Sequence, residues 1–139
     1  MERFLQDECD AGQLSPLTLA FLGDAVFEVF TRERIVCGGS RPVSKLHSLS
    51  VREVCCSAQA EASRFLLPSL TEEEAAVFRR GKNAHPGHVP KNADQADYHE
   101  ATGLEALFGY LYLNGKIDRL RELFEKIETD RNEKPATDF

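Results

Sequence analysis

Two carboxylates stand in the most apolar stretches of this 139-residue sequence. Asp24 lies within AFLGDAVFEVF, and Glu105 lies within ATGLEALFGYLYL. Burying an ionised carboxylate is unfavourable by several kcal/mol unless the group is paired with a cation, hydrogen-bonded or bound to a metal. Two interpretations are therefore open. The pair can supply oxygen ligands to a metal ion, or each carboxylate can form an ion pair with an arginine such as Arg32 or Arg52.

A glycine lies close to each of these carboxylates in the sequence. Gly23 precedes Asp24, and Gly103 is two residues before Glu105. Glycine in a helix interior is less favourable than alanine by about 1 kcal/mol. We therefore expect another backbone or a ligand to approach the helix closely at both positions.

A basic segment is a candidate for contact with a polyanion. No acidic residue occurs between positions 75 and 93, and residues 81–92, with two glycines and two prolines, are predicted to form a loop. Its Lys and Arg side chains can reach phosphates, and its Asn side chains can donate hydrogen bonds to the same oxygens. The candidate residues are Arg79, Arg80, Lys82, Asn83, Lys91 and Asn92. The net charge of −6 opposes indiscriminate nucleic-acid binding, so an ordinary solvated surface is the alternative.

The other potential metal ligands are scattered along the sequence. His85 and His88 flank a Pro-Gly pair without further clustered ligands, so we expect both on the surface. The four cysteines form no CxxC pair, which argues against a zinc site and against a disulfide framework. Reduced cysteines packed as small apolar side chains are the expectation.

Helix signals run through the sequence, and no stretch shows sustained strand alternation. Ser15-Pro16 is a typical helix start, Gly38-Gly39 a typical stop, and Thr71 with Glu74 has the spacing of a capping box. The predicted helices cover residues 17–36, 42–67, 71–80, 94–113 and 117–128. The fold class is therefore all-α. Because the first helix is apolar on nearly every side, it is expected to be central or shared with a second subunit.

The chain is predicted to form one domain. We expect an N-terminal arm at residues 1–13, a helical domain at 14–128 and a polar tail at 129–139, without a double-stranded-RNA-binding domain. The N-terminal segment lacks the basic and apolar regions of a signal peptide, and no run of apolar residues is long enough to span a bilayer. A cytoplasmic location is the expectation.

Four ordered segments carry a resemblance to a known family. FLGDAV, RRGKNA, PKNADQADY and LEALFGYLYL occur in this order between about residues 14 and 127. The set resembles the ribonuclease III family, and in particular its short bacterial Mini-III branch, which has no separate double-stranded-RNA-binding domain. The resemblance implies an all-helical, dimeric endoribonuclease that hydrolyses double-stranded RNA and leaves 5′-phosphate ends. For the short branch the implied substrate is the precursor of 23S ribosomal RNA, with a ribosomal protein as a further candidate partner.

The resemblance also assigns roles to the two carboxylates. Asp24 matches the catalytic aspartate of the family, and Glu105 matches its metal-binding glutamate, so both are predicted to be catalytic and to bind metal. Oxygen ligands of this kind suit Mg²⁺. The basic segment would then contact RNA phosphates and 2′-hydroxyl groups. His99 is a further candidate phosphate contact, and Glu28 is either a partner of Asp24 or a solvated residue.

Two positions depart from the pattern of the longer enzymes. Ala20 and Thr102 stand where those enzymes have acidic residues, and each shares a helix face with one of the two carboxylates. Both replacements are typical of the short branch. The alternative is a catalytically inactive module that keeps the fold and binds RNA or the ribosome, and a helical dimeric interaction protein without RNA is a third possibility.

Overall fold

The computed structural model describes residues 3–84, 91 and 94–133, and no strand occurs among them. The all-α prediction is confirmed. Within these residues, two short 3₁₀ turns, Ala11–Gln13 and Leu67–Ser69, accompany six α-helices. The helices are α1 (Pro16–Cys37), α2 (Val43–Val54), α3 (Cys56–Leu66), α4 (Glu72–Lys82), α5 (Gln95–Leu113) and α6 (Ile117–Glu133).

The ends of α1 and α5 follow from local sequence. Ser15 caps α1 by accepting a hydrogen bond from the Thr18 amide, with Pro16 in the first turn, and α1 ends before Gly38. Asp94 caps α5 by accepting from the Asp97 amide. Both predicted helices are confirmed to within one residue at each end.

The prediction of a single helix over residues 42–67 is wrong. Cys55 adopts an extended conformation, with φ −65° and ψ 158°, and separates α2 from α3. Valines and cysteines around this point are weak helix formers, so interrupting the helix here has a small energetic cost. The break lets α2 pack against α1 while α3 packs against α5.

Two other helices run further than predicted. In α4 the capping box is confirmed, because Thr71 Oγ1 accepts from the Glu74 amide and Glu74 Oε1 accepts from the Thr71 amide. Gly81, predicted to end this helix, lies inside it: a Cβ there would come within 2.7 Å of Ala106 Cβ. The absence of a side chain at Gly81 therefore lets α4 pack closely against α5. The last helix, α6, continues to Glu133 rather than to about residue 128.

The central helix is α5, which packs against α1, α3, α4 and α6. Helix α1 is not the central helix, because its outer face is open and Phe21 is 85% exposed. The alternative expectation, that α1 is shared with a second subunit, stays a prediction. The inner face of α1 contributes Phe27 to the core. The largest fully buried side chains are Phe27, Phe108, Phe124, Leu19, Leu66, Leu104, Leu107, Leu120, Leu123 and Ile127.

The cysteine prediction is confirmed in one respect and wrong in another. All four cysteines are free thiols. Cys9 and Cys37 are exposed rather than packed in the core, whereas Cys55 and Cys56 are partly buried. Within the described ranges, the helices are too short or too polar to cross a membrane.

Candidate active site

Helices α1 and α5 cross in direct backbone contact. A Cβ built on Gly23 would lie 1.6 Å from the Glu105 carbonyl oxygen, and one on Gly109 would lie 2.1 Å from the Leu19 carbonyl oxygen. Real Cβ atoms do not approach other atoms this closely, so the crossing requires glycine on both helices. The expected close approach at Gly23 is confirmed, and the approaching group is the backbone of α5. The crossing brings Asp24 beside Glu105.

The second predicted close approach has a different neighbour. A Cβ on Gly103 would lie 2.8 Å from the Phe78 carbonyl oxygen, so α4 presses against α5 at this point. Gly81 of α4 faces the same contact, at 3.0 Å between its built Cβ and Gly103 Cα. The prediction for Gly103 is confirmed. This packing fixes the basic end of α4 against the middle of α5.

The two predicted carboxylates face each other with different exposure. Asp24 is exposed, whereas Glu105 is half-buried. Burial, the negative charge of Asp24 and a hydrogen bond with Asp24 raise the pKa of Glu105 to about 8. The two side chains are therefore neighbours across the crossing of α1 and α5. The sequence interpretation that placed Asp24 in buried surroundings is wrong, because its side of α1 is open to solvent.

For Glu105, the described residues give no support to ion pairing with arginine. Arg32 Nε donates instead to Glu28 Oε2 at 2.7 Å, so Glu28 is engaged one turn away from Asp24. Among the described residues, the groups that shift the pKa of Glu105 include no cation. Glu105 thus lacks the arginine partner that the ion-pair interpretation requires.

The structure adds Gln59, which the sequence analysis missed. Gln59 lies on α3, is 2% exposed, and faces Glu105, where its side-chain amide lowers the pKa of that carboxyl. Its Nε2 reaches no acceptor at hydrogen-bonding geometry within the described part of the chain. Cys56 lies nearby, since burial and then the charge of Glu105 raise the pKa of its thiol. The sequence signal that could have identified Gln59 is a long polar side chain among the small residues of SAQAEAS.

The two departures from the acidic pattern are buried and neutral. Ala20 and Thr102 are each 6% exposed, and Thr102 Oγ1 donates to the Tyr98 carbonyl oxygen at 2.9 Å. The Thr102 hydroxyl is therefore committed to its own helix. In the part of the chain that the structure describes, no cluster of three or more His, Cys, Asp or Glu side chains could hold a metal. The carboxylate set at this point is the pair Asp24 and Glu105.

The basic candidates lie at the C-terminal end of α4 and beyond it. Arg79 and Arg80 are exposed in the last turns of α4, Asn83 caps it, and Lys91 is exposed. Lys82 Nζ lies 3.7 Å from Glu100 Oε1 on α5. Asn92, His85 and His88 lie outside the described residues.

Arg64 of α3 joins this group, and the sequence analysis did not single it out. Its Nη1 donates to Glu100 Oε2 at 2.6 Å, so Glu100 bonds cations from two different helices. Glu100 is five residues before Glu105, which is about 7.5 Å along the axis of α5. The ion pair therefore holds Lys82 against α5, the helix that carries Glu105. His99, one residue earlier, has a buried Nδ1 with no hydrogen-bond partner among the described residues.

Known proteins resemble this chain over most of its length. The family model for the Ribonuclease III domain matches residues 17–116. Mini-ribonuclease 3 of Symbiobacterium thermophilum is 50% identical over 81% of this chain and 86% of that protein. Mini-ribonuclease 3 of Brevibacillus brevis is 44% identical over 84% of this chain and 87% of that protein. A crystal structure of a Fusobacterium nucleatum protein matches with a TM-score of 0.78 and 29% identity, covering 85% of this chain and 96% of that one.

Proposed function

We propose, from the premise that this chain belongs to the ribonuclease III family, that Asp24 and Glu105 form the hydrolytic centre of an endoribonuclease. The family resemblance found in the sequence is confirmed, and with it the enzyme class. Enzymes of this family act on double-stranded RNA and depend on a metal ion. The proposal concerns which residues of this chain carry out that reaction, with which metal, and on which RNA.

The contact between Asp24 and Glu105 carries the proposal. Two carboxyl groups in hydrogen-bond contact, with no cation acting on Glu105, would repel each other if both were ionised. A divalent cation held by the two groups would offset both charges. Carboxylate oxygens are hard ligands, and Mg²⁺ binds through one or two carboxylates while keeping several waters. The residues present therefore fit Mg²⁺.

Each carboxylate has a distinct task in this proposal. Exposed Asp24 presents its oxygens on the solvent side, where a phosphodiester can approach, and half-buried Glu105 holds the inner side of the pair. Mg²⁺, when bound, lowers the pKa of a coordinated water and offsets charge that develops on the phosphate oxygens. Because Ala20 and Thr102 are neutral, Asp24 and Glu105 supply the carboxylate charge at this crossing. Water attack leaves a 5′-phosphate and a 3′-hydroxyl.

The basic end of α4 provides the substrate contacts. Arg79, Arg80 and Lys82 would bind phosphates, and Asn83 would donate to phosphate or 2′-hydroxyl groups, which is how proteins contact the shallow minor groove of double-stranded RNA. Lys91 and Asn92 extend this contact along the sequence. The packing of Gly81 against Gly103 supports this assignment, because it holds the end of α4 on the helix that carries Glu105.

The outer face of α1 is the proposed dimer contact. Phe21, Val29 and Leu17 are exposed by 85%, 51% and 39%. Two strands of a duplex require two cuts, and a two-fold dimer with one site in each subunit supplies both. Extending the proposal to the cell, the substrate is the double-stranded stem of the 23S ribosomal RNA precursor in the cytoplasm, where a ribosomal protein can present the RNA.

Cleavage of a long RNA duplex tests the assignment. The wild-type protein is incubated with the duplex with and without Mg²⁺, beside Asp24→Asn and the control Glu33→Gln, which removes an exposed carboxylate from the same helix. Metal-dependent cleavage that survives in the control and is lost in Asp24→Asn supports the proposal. Binding without cleavage by the wild type would favour the inactive RNA-binding module. Failure of both would favour a helical interaction protein.

A further inference from the structure

Gln59 is an amide buried without a hydrogen-bond acceptor for its side-chain nitrogen. It is 2% exposed, and Nε2 has no partner among the described residues. A buried donor left unpaired lowers the stability of the folded protein, because it has lost its hydrogen bonds to water. Nearly all buried polar groups in folded proteins are paired, so an unpaired one calls for a physical reason. A methionine or leucine would fill the same space without this penalty, and packing alone therefore does not explain a glutamine.

The polar group that the Gln59 amide faces is the carboxyl of Glu105. Helix α3 packs against α5, and the Gln59 amide lies close enough to Glu105 to lower its pKa. Asp24 is the other polar neighbour of the Glu105 carboxyl, across the crossing of α1 and α5. The amide thus faces a carboxyl group that lies between α3 and the exposed carboxylate of α1.

A Glu105 carboxylate that binds a cation can still accept a hydrogen bond from the Gln59 amide. An ionised carboxylate has about four lone-pair positions on its two oxygens, and a cation occupies only part of them. The remaining positions can accept a hydrogen bond from Gln59 Nε2. A hydrogen bond donated to an ionised acceptor is also stronger than one between neutral groups.

We propose that Gln59 is a positioning residue that donates from Nε2 to the ionised Glu105 carboxylate and thereby orients it toward the bound cation. This inference rests on the proposed function, because it takes Asp24 and Glu105 as the metal ligands. Gln59 itself does not contact the RNA. Groups that orient a metal ligand in this way typically change metal affinity by 10–100-fold when removed.

The test uses Gln59→Met and Gln59→Leu, which keep the volume of the side chain and remove the donor. Binding of Mg²⁺ and of Mn²⁺ to the whole protein is measured by calorimetry, and the free energy of unfolding of the metal-free protein is measured in urea. We expect the Kd for metal to rise about 10–100-fold. We expect metal-free stability to stay equal or increase, because an unpaired buried donor is removed.

Ser63→Ala is the matched control. Ser63 is a buried polar residue of the same helix, 1% exposed, whose hydroxyl already donates to the Ala60 carbonyl oxygen at 2.8 Å. We expect its loss to leave the metal Kd unchanged. Saturating Mg²⁺ should restore most of the cleavage rate in Gln59→Met, since the residue acts through metal binding.

Two results would overturn the inference. The first is an unchanged Kd for metal in both Gln59 variants. The second is a rise in the Kd that is matched by an equal loss of stability in the metal-free protein, because that result would show that Gln59 acts only through packing. If the variants give either result while the wild-type protein still binds metal and cleaves RNA, the proposed function stands and only this inference fails. A wild-type protein that binds no metal and cuts no duplex would overturn both.

Discussion

Gly23 and Gly109 lie in backbone contact where α1 crosses α5, and a Cβ on Gly109 would come within 3.1 Å of the Gly23 amide nitrogen. Neither helix can approach this closely with a larger residue at the crossing. The contact sets the distance between the residues that follow Gly23 and those that precede Gly109 on the facing helix. Asp24 and Glu105 are therefore neighbours because Gly23 and Gly109 let the two helices touch.

Gly23→Ala is expected to damage both the fold and the site. Its Cβ would overlap the Glu105 carbonyl oxygen, a backbone atom that cannot rotate away. Overpacking usually lowers the free energy of unfolding by about 1–3 kcal/mol, and this contact belongs at or above the upper end. Urea denaturation measures the loss. In the control Gly12→Ala, the Cβ meets only Asp10 Oδ1 at 3.4 Å, so the change should stay within about 0.5 kcal/mol. Equal losses in the two variants would contradict the crossing.

Metal binding at the carboxylate pair is expected to release protons. Burial and the negative charge of Asp24 raise the pKa of Glu105 to about 8 in the metal-free protein, and a bound cation favours the ionised form. At pH 7 we expect about one proton released per site, and far fewer at pH 9, where Glu105 is already ionised. Calorimetry in buffers with different ionisation heats measures the number. A release that does not depend on pH over this range would count against the pair as the metal site.

Glu128 should make the protein less stable as the pH rises. Burial, and then a hydrogen bond and negative charge from Glu53, raise its pKa from 4.5 to about 7. Between pH 4.5 and 7 the unfolded chain has lost this proton while the folded protein retains it. The stability contribution is therefore full below pH 4.5, falls across the window, and is constant above it.

Glu128→Gln is expected to remove this dependence. We expect the variant to gain about 1–2 kcal/mol over the wild type at pH 8 and to match it near pH 4.5. Urea denaturation across this range is the measurement. Glu133→Gln, at an exposed position of the same helix, serves as the control and should show a flat difference. A gain that is the same at both pH values would exclude titration of Glu128 as the cause.

Lys82→Ala should weaken RNA binding more at low salt than at high salt. A lost phosphate contact removes one set of released counterions, so the slope of log K against log salt should fall by about 0.7–0.9. Binding of a short duplex is measured in the Asp24→Asn background to prevent cleavage. Lys126→Ala on α6, outside the basic segment, should leave the slope unchanged. A loss of affinity that does not vary with salt would indicate structural damage instead.

Phe21→Ser is expected to separate the dimer without unfolding the subunit. Phe21 is 85% exposed, so a polar side chain there loses no contact within the subunit. Analytical ultracentrifugation at micromolar concentration should find a dimer for the wild type and a monomer for the variant, with similar helix content by circular dichroism. Phe65→Ser, at a 42% exposed position on α3, is the control and should remain dimeric. A monomeric wild type would contradict the proposed contact.

The amino-acid sequence alone was enough to predict features that depend on neighbours within a few residues. Ser15 and Thr71 each cap a helix through the amide three positions on, and the structure has both of these predicted helix starts. The all-α class and the family also follow from sequence, because helix periodicity and the order of FLGDAV, RRGKNA and LEALFGYLYL are linear properties of the chain.

Only the tertiary structure decided how the candidate site is built. Gly81 was predicted to end a helix and Asp24 to be buried, but α5 packs on the first and leaves the second open. Gln59 stands out in the sequence only as a long polar residue among small ones, and its role depends on Glu105, 46 positions away. Burial, pKa and close approach depend on which helices meet, and those contacts join segments far apart in the chain. For that reason the two carboxylates could be named from sequence, whereas their difference in exposure and the amide between α3 and α5 could not.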